Sequence, residues 1–284
     1  MTVGIVGSGP AVAVRRHAAD AAPYVDHIAE LDTGRDLLPG DFTTDPDVLD
    51  AFLETVDAVL LSVPSALHVH IAEAAVRRGV ALFLEWPPAP SLAEAEAIAK
   101  LAEEASVEVA VSRPWRFLPV LDRISAASRT HLVLLNITLG PIGQPTAPKH
   151  LADALDLCQF LAGSNSIQRI DAEVARSQSR IPNAAAFALR FHNGAYAQVS
   201  LRATDEPAGG HLFVAGPGFQ EHVTLSAGLL GQVEPSSASD LHALWTTETT
   251  AFLSAVNTRR FADFSIQDGV HTLRLMERLM ARLR

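Results

Sequence analysis

At 284 residues the chain is too long for one compact core and fits two domains. With 48% hydrophobic and 19% charged residues it can bury enough apolar surface to fold, which excludes a disordered chain. A formal net charge of -10 excludes a nucleic-acid backbone as partner, and a single cysteine, Cys158, excludes an internal disulfide and suits a reducing compartment.

The opening Met1-Thr2-Val3-Gly4-Ile5-Val6 runs straight into a strand over residues 3–6, so an ordinary signal peptide is not expected. No apolar run approaches the ~18 residues of a membrane span, and the cytoplasm is the expected location. Gly7-Ser8-Gly9-Pro10 follows the first strand and opens a helix running to about residue 22. Residues 27–31 read as strand two, and residues 57–63 as a buried strand ended by Pro64. Helical spacing resumes over residues 67–78 and stops at Gly79, and residues 80–84 form another buried strand. Ser91, with Glu94 three residues on, makes a capping box for a helix to about residue 105, and residues 107–111 follow as a strand.

This alternation is the signature of βαβ units, so the fold class expected is α/β: an N-terminal Rossmann doubly wound parallel sheet over residues 1–118. Residues 119–284 read as a second α/β domain, with longer strands and fewer crossovers. Residues 132–139 are apolar on both faces, which predicts helices on one side and a partner subunit on the other. Residues 186–203 form a hairpin whose Asn193-Gly194 predicts a type I′ turn. Two more strands are expected at residues 212–215 and 222–225, then a helical tail broken near residues 261–264, which can pack back on the first domain.

The Gly7-Ser8-Gly9 loop is where backbone amides and a helix dipole can hold a pyrophosphate. Val12 occupies the place of the third glycine of G-x-G-x-x-G, which leaves a tight turn without ligand as the competing reading. Asp32, at the end of strand two and ~20 residues past the loop, is placed to bind a ribose hydroxyl pair. Arg35 can meet a 2′-phosphate, so NAD and NADP both stay open. His68 and His70 have no cysteine or carboxylate at ligand spacing, and no metal site is expected.

Several spaced motifs resemble the glucose–fructose oxidoreductase and inositol dehydrogenase (Gfo/Idh/MocA) family. They are Val63-Pro64-Ser65-Ala66-Leu67-His68, Glu85-Trp86-Pro87, Arg116-Phe117-Leu118-Pro119 and Phe191-His192-Asn193-Gly194-Ala195. The resemblance implies a Rossmann domain, a second domain on a large, open, mainly antiparallel sheet, and homodimers or homotetramers through that sheet. It also implies a nicotinamide cofactor at a cleft with a small-molecule substrate, and assigns Ser62, Pro64, His68, Glu85, Trp86 and Arg113 to the cofactor.

Family dehydrogenases use the lysine of Glu-Lys-Pro and the aspartate and histidine of D-x-G-x-H-x-x-D. Here Trp86 replaces the lysine, and alignment on Asp156-Leu157 puts Lys149 at the aspartate, Leu151 at the glycine and Asp153 at the histidine. Trp86 donates no catalytic proton, though it can stack on a nicotinamide or an aromatic substrate. Only two lysines, Lys100 and Lys149, occur in the chain. Lys149, with Asp153 one helical turn on, is the candidate proton donor, opposed by the reading of an exposed lysine at a loop end. His150 is the second candidate acid, with an ordinary surface histidine as its plainer reading, and Asp156 has a structural or orienting role. Arg113 can grip a carboxylate or phosphate, and Arg116 suits an ion pair at the domain boundary.

The expected activity is therefore an NAD(P)-dependent oxidoreductase, more a reductase of C=N or C=C bonds than a sugar dehydrogenase. A non-catalytic dinucleotide sensor or scaffold, and a non-redox cyclisation or elimination with Lys149 or His150 as base, are its rivals.

Overall fold

The computed structural model describes residues 1–31, 46–126, 130–139, 147–176, 182–206, 208–226 and 240–282. They form two compact units: Met1–Arg113 with Trp245–Leu273, and Pro114–Leu244 with Arg274–Arg284.

The first unit runs β1 (Thr2–Gly7), α1 (Pro10–Ala21), β2 (His27–Leu31), α2 (Pro46–Leu53), β3 (Ala58–Ser62), α3 (His68–Arg77), β4 (Ala81–Leu84), α4 (Leu92–Ala105) and β5 (Val109–Val111). Among the described residues its sheet has five strands in the order β2-β1-β3-β4-β5, all parallel. The chain leaves β1 in both directions, to β2 on one side and β3 on the other. That reversal opens a crevice at the carboxyl ends of the strands. Val59, Leu61, Leu82 and Leu84 are fully buried against Ile71, Ala75 and Ile98 of α3 and α4, so these strands carry nearly unbroken apolar runs.

Local signals set the helix limits. The Ser91 hydroxyl accepts the Glu94 amide at 3.3 Å and donates to the Glu94 carboxylate at 2.6 Å, the capping box of α4. Beyond the end of α3, Gly79 adopts φ 73°, a left-handed conformation that stops the helix at little cost for glycine. At the outer edge of β5, Ala110 bridges Ser265 antiparallel and the Val111 amide donates to the Phe264 carbonyl at 3.0 Å. Glu108 ties down the same segment, accepting the Ala262 amide at 3.1 Å.

The second unit contains α5 (Val120–Ala126), β6 (Leu132–Thr138), α6 (Ala147–Ala162), β7 (Ile167–Arg176), β8 (Pro182–Phe191), β9 (Tyr196–Arg202), β10 (Gly209–Gly216) and β11 (Phe219–Leu225). Its six described strands run β11-β10-β6-β9-β8-β7, antiparallel except for the β6–β9 pair. The last helices, α7 (Asp240–Asn257) and α8 (Ile266–Arg282), pass between the units at Leu244 and Leu273. Along β6 the two faces differ: Val133, Leu135 and Ile137 are buried in the core with Leu155 and Cys158 of α6, whereas Leu132 and Leu134 are half-buried and Asn136 is exposed.

The hairpin turn corrects the expected type I′ geometry. Positive φ occurs at Gly194 (91°) and not at Asn193, and the Gly194 amide donates to the Phe191 carbonyl at 3.0 Å. This is a three-residue loop with its left-handed residue at the glycine. Asn193 instead uses its side chain, accepting the Ala195 amide and donating to the Ala162 carbonyl, and so ties the turn to the end of α6.

Candidate functional site

At the end of β1 the backbone turns through two positive-φ glycines, Gly7 at 132° and Gly9 at 100°. A Cβ on Gly7 would collide with the Ser62 carbonyl of the paired strand, so only glycine lets β1 and β3 approach there. The Ser8 amide lies 3.4 Å from that same carbonyl. Gly9 caps α1 without any side-chain hydrogen bond, Pro10 opens the helix, and no acidic residue occupies its first turn. That turn lines a concavity of about 250 Å³ together with Ile5, Val12, Glu30 and Leu31. An amide-rich end with the positive pole of a helix dipole is suited to a diphosphate. The Ser62 hydroxyl is buried next to Gly7 with no hydrogen-bond partner among the described residues, a polar atom left for a ligand. These features fit a dinucleotide. Asp32 and Arg35 lie outside the described residues.

Behind this edge, Pro64 ends β3 and its carbonyl accepts the Leu67 amide at 2.9 Å. His68 is buried, with Nδ1 3.1 Å from the Pro88 carbonyl and Nε2 3.1 Å from the Val63 carbonyl. Its ring thereby ties the turn after β3 to the segment after β4. Burial pushes its pKa below the ordinary histidine value, against the pull of the two carbonyls and of Glu85.

Glu85 is engaged by Arg15 of α1, whose Nε and Nη2 reach Oε1 at 2.9 and 2.5 Å. Arg113 is buried, and its guanidinium lies 4.2 Å from the centre of the Trp86 ring. A desolvated cation–π contact of this kind contributes about 2 kcal/mol. The cation expected to grip an anion is thus stacked on the aromatic side chain that replaces the family's lysine. The Arg113 amide also donates to Glu248 Oε2 at 2.9 Å.

In the second unit, the candidate acid–base residues share one helix. Lys149 Nζ is 3.1 Å from Asp153 Oδ2, and the lysine side chain is 43% exposed while the aspartate is 3% exposed. A solvent-reachable ammonium is therefore anchored on a buried carboxylate. His150 departs from the surface reading: it is 4% exposed, with its ring 6.5 Å from that of Trp115. Its spacing with Ala154, Leu157 and Leu161 accounts for this, since all four lie on the buried stripe of α6. Asp156 is paired with Arg116, whose Nε and Nη2 reach the two carboxylate oxygens at 2.8 and 2.7 Å, a buried bidentate pair. Cys158 is buried, and its thiol is pushed up to about 12 by burial, with the Asp156 charge adding to it.

The sequence reading passed over Arg15 and Glu248. A signal for both existed: Arg15 shares a helical stripe with Ala18, Ala19 and Ala22, and Glu248 stands four residues from Leu244 and from Phe252, all of them buried. A charge at an apolar position of an amphipathic helix is a buried charge with a partner.

Residues 1–113 match the oxidoreductase family GFO_IDH_MocA, described as having an NAD-binding Rossmann fold. Dehydrogenase aclE of Aspergillus oryzae is 39% identical over 75 residues, which is 26% of this chain and 20% of that protein. Solved structures resemble the whole chain in fold. GenD2 from gentamicin A biosynthesis, in complex with NAD, matches with a TM-score of 0.78 and 20% identity over 99% of this chain and 93% of that one. UDP-N-acetylglucosamine 3-dehydrogenase GnnA from Acidithiobacillus ferrooxidans has a TM-score of 0.74 and 18% identity, over 100% and 97%. Biliverdin reductase from Synechocystis sp. PCC 6803, in complex with biliverdin and NADP+, has a TM-score of 0.69 and 18% identity, over 99% and 98%. Among the described residues, no helix is long and apolar enough to cross a membrane.

Proposed function

We propose that this chain, whose residues 1–113 match the Gfo/Idh/MocA oxidoreductase family with its NAD-binding Rossmann fold, is an NAD(P)-dependent reductase of a small molecule. The Gly7–Gly9 turn and the start of α1 would hold the diphosphate of a nicotinamide dinucleotide, which when bound would supply the hydride. Hydride addition to a C=O or C=N carbon leaves an anionic oxygen or nitrogen that needs one proton. Lys149 delivers that proton, with Asp153 holding the ammonium in place.

The observation that carries this reading is the Lys149–Asp153 pair, a half-exposed cation on a buried anion at the helix aligned with the family's catalytic one. The fold neighbours, by name a UDP-sugar dehydrogenase and a biliverdin reductase, agree with a small-molecule substrate. The half-buried Leu132 and Leu134 on the outer face of β6 support a homodimer or homotetramer built on that sheet.

The test is steady-state reduction of a panel of carbonyl, imine and enone compounds with NADH and NADPH. Lys149→Ala is expected to lower kcat by about 10²- to 10⁴-fold while nucleotide affinity stays within about twofold. Unchanged turnover in Lys149→Ala removes it as the acid. Nucleotide binding without turnover on any compound favours a sensor.

A further inference from the structure

Arg15 has 1% of its side chain exposed and is shared by two carboxylates. Its guanidinium lies 4.2 Å over the Phe83 ring, Nη1 donates to Thr249 Oγ1 at 2.8 Å, Nε and Nη2 hold Glu85, and Nη2 is 3.6 Å from Glu248 Oε1. Glu248 has no exposed surface and accepts the Ser112 hydroxyl at 2.7 Å and the Arg113 amide at 2.9 Å. The buried Arg15 thus lies between the buried Glu248 and the partly exposed Glu85, where α1, the ends of β4 and β5, and α7 meet. Trp86 is held from both ends of this cluster: Glu85 precedes it in the chain, and Arg113, whose amide Glu248 accepts, stacks on its ring. Glu85 and Trp86 follow the carboxyl end of β4 and Ser112 and Arg113 that of β5, the same sheet edge as the Gly7–Gly9 turn after β1, and Arg15 lies on α1, which opens from that turn.

We propose that Arg15 and Glu248 are positioning residues for the dinucleotide site, and that the Glu248 carboxyl proton governs how firmly Arg15 clamps the Glu85-Trp86 segment. With that proton on, the guanidinium serves Glu85 alone. With it off, Arg15 is divided between two carboxylates and the cluster has gained one negative charge, on the side of the sheet where an anionic ligand binds. The groups facing Glu248 are Arg15, Glu85, Ser112, Arg113 and Thr249, with His68 next in line beside Glu85. Burial and the Glu85 charge push Glu248 up to about 7 while Arg15 opposes them, which places the change near neutrality. The inference rests on the proposed nucleotide binding and adds a proton linkage to it.

NADH and NADPH are titrated calorimetrically against the whole protein, its Glu248→Gln and Arg15→Lys variants, from pH 6 to 8.5. Wild-type affinity is expected to fall about fivefold across that range, the low end of measured couplings between linked sites. Glu248→Gln, which fixes an uncharged side chain of the same size, is expected to hold the pH 6 affinity throughout. Arg15→Lys, which keeps the charge but loses the fork, is expected to bind at least fivefold more weakly with a flattened profile. Should Arg15→Lys fail to fold, the Glu248→Gln profile decides alone. A Glu248→Gln profile as steep as the wild type, or a flat wild-type profile with measurable binding, overturns the linkage while leaving nucleotide binding intact. No binding at any pH overturns both.

Discussion

Glu108 is a buried carboxyl with no cationic partner among the described residues, which makes Glu108→Gln a quantitative test of how the first unit handles charge. One oxygen accepts the Ala262 amide at 3.1 Å, and the other is buried with no hydrogen-bond partner among the described residues. Burial pushes the group up to about 7 from the ordinary 4.5, with the Ala262 amide pulling the other way. Because the folded protein holds this proton more tightly than the unfolded chain, the stabilising contribution is fully present below 4.5. It is lost as pH rises through about 7. At about 1.4 kcal/mol per pH unit the full loss is about 3 kcal/mol, and about 2 kcal/mol once partial solvent screening is allowed for. Glutamine keeps the acceptor for Ala262 and cannot ionise. Thermal unfolding of both proteins between pH 5 and 8 should show Glu108→Gln melting about 4–8 °C above the wild type at pH 8, with little difference at pH 5. Glu248 also changes protonation over this range but is common to both proteins and cancels. A difference in melting temperature that does not change with pH would refute the reasoning.

Ser91→Ala removes the cap of α4 and should cost about 1 kcal/mol in urea unfolding with no change in slope; no loss would mean the capping box contributes nothing. Asp156→Asn strands the buried Arg116 cation and should cost about 3–5 kcal/mol by the same assay, whereas a cost below about 1 kcal/mol would place the pair in water. Cys158, buried and pushed up to about 12, should resist a thiol reagent at pH 8 in the native protein and react at once in denaturant; rapid native labelling would contradict its burial.

The parallel half of the molecule was legible because each of its elements is marked by more than one signal. Strands β3 and β4 are apolar but for the closing Ser62, Gly79 stops one helix, and Ser91 with Glu94 starts the next. Strand β7 escaped because it lies at the edge of its sheet, with Arg169, Asp171 and Glu173 along one face, which is how edges discourage further pairing and why they lack a hydrophobic signature. Helix α2 spans only Pro46–Leu53, too short for a periodic pattern to stand out. In the site, the glycine turn and the Lys149–Asp153 spacing could be read from the chain alone, since both depend on local geometry. The burial of His150 and the partners of Arg15 depend on what packs against a helix face, and Arg15 meets Glu248 across a sequence separation of 233 residues. Reading polar residues on apolar stripes as buried until shown otherwise would have recovered both.

The account stands on the amides at the start of α1 holding a dinucleotide, and Gly9 offers the most direct measurement. A Cβ there meets nothing within 4 Å, so Gly9→Ala disturbs the fold only through its φ of 100°, while its methyl enters the space where a diphosphate would rest. Calorimetric titration with NADH and NADPH should give saturable binding in the wild type, and at least tenfold weaker binding in a Gly9→Ala protein with an unchanged circular dichroism spectrum. Absence of heat in the wild type at millimolar nucleotide, or equal affinity in the two proteins, would contradict it.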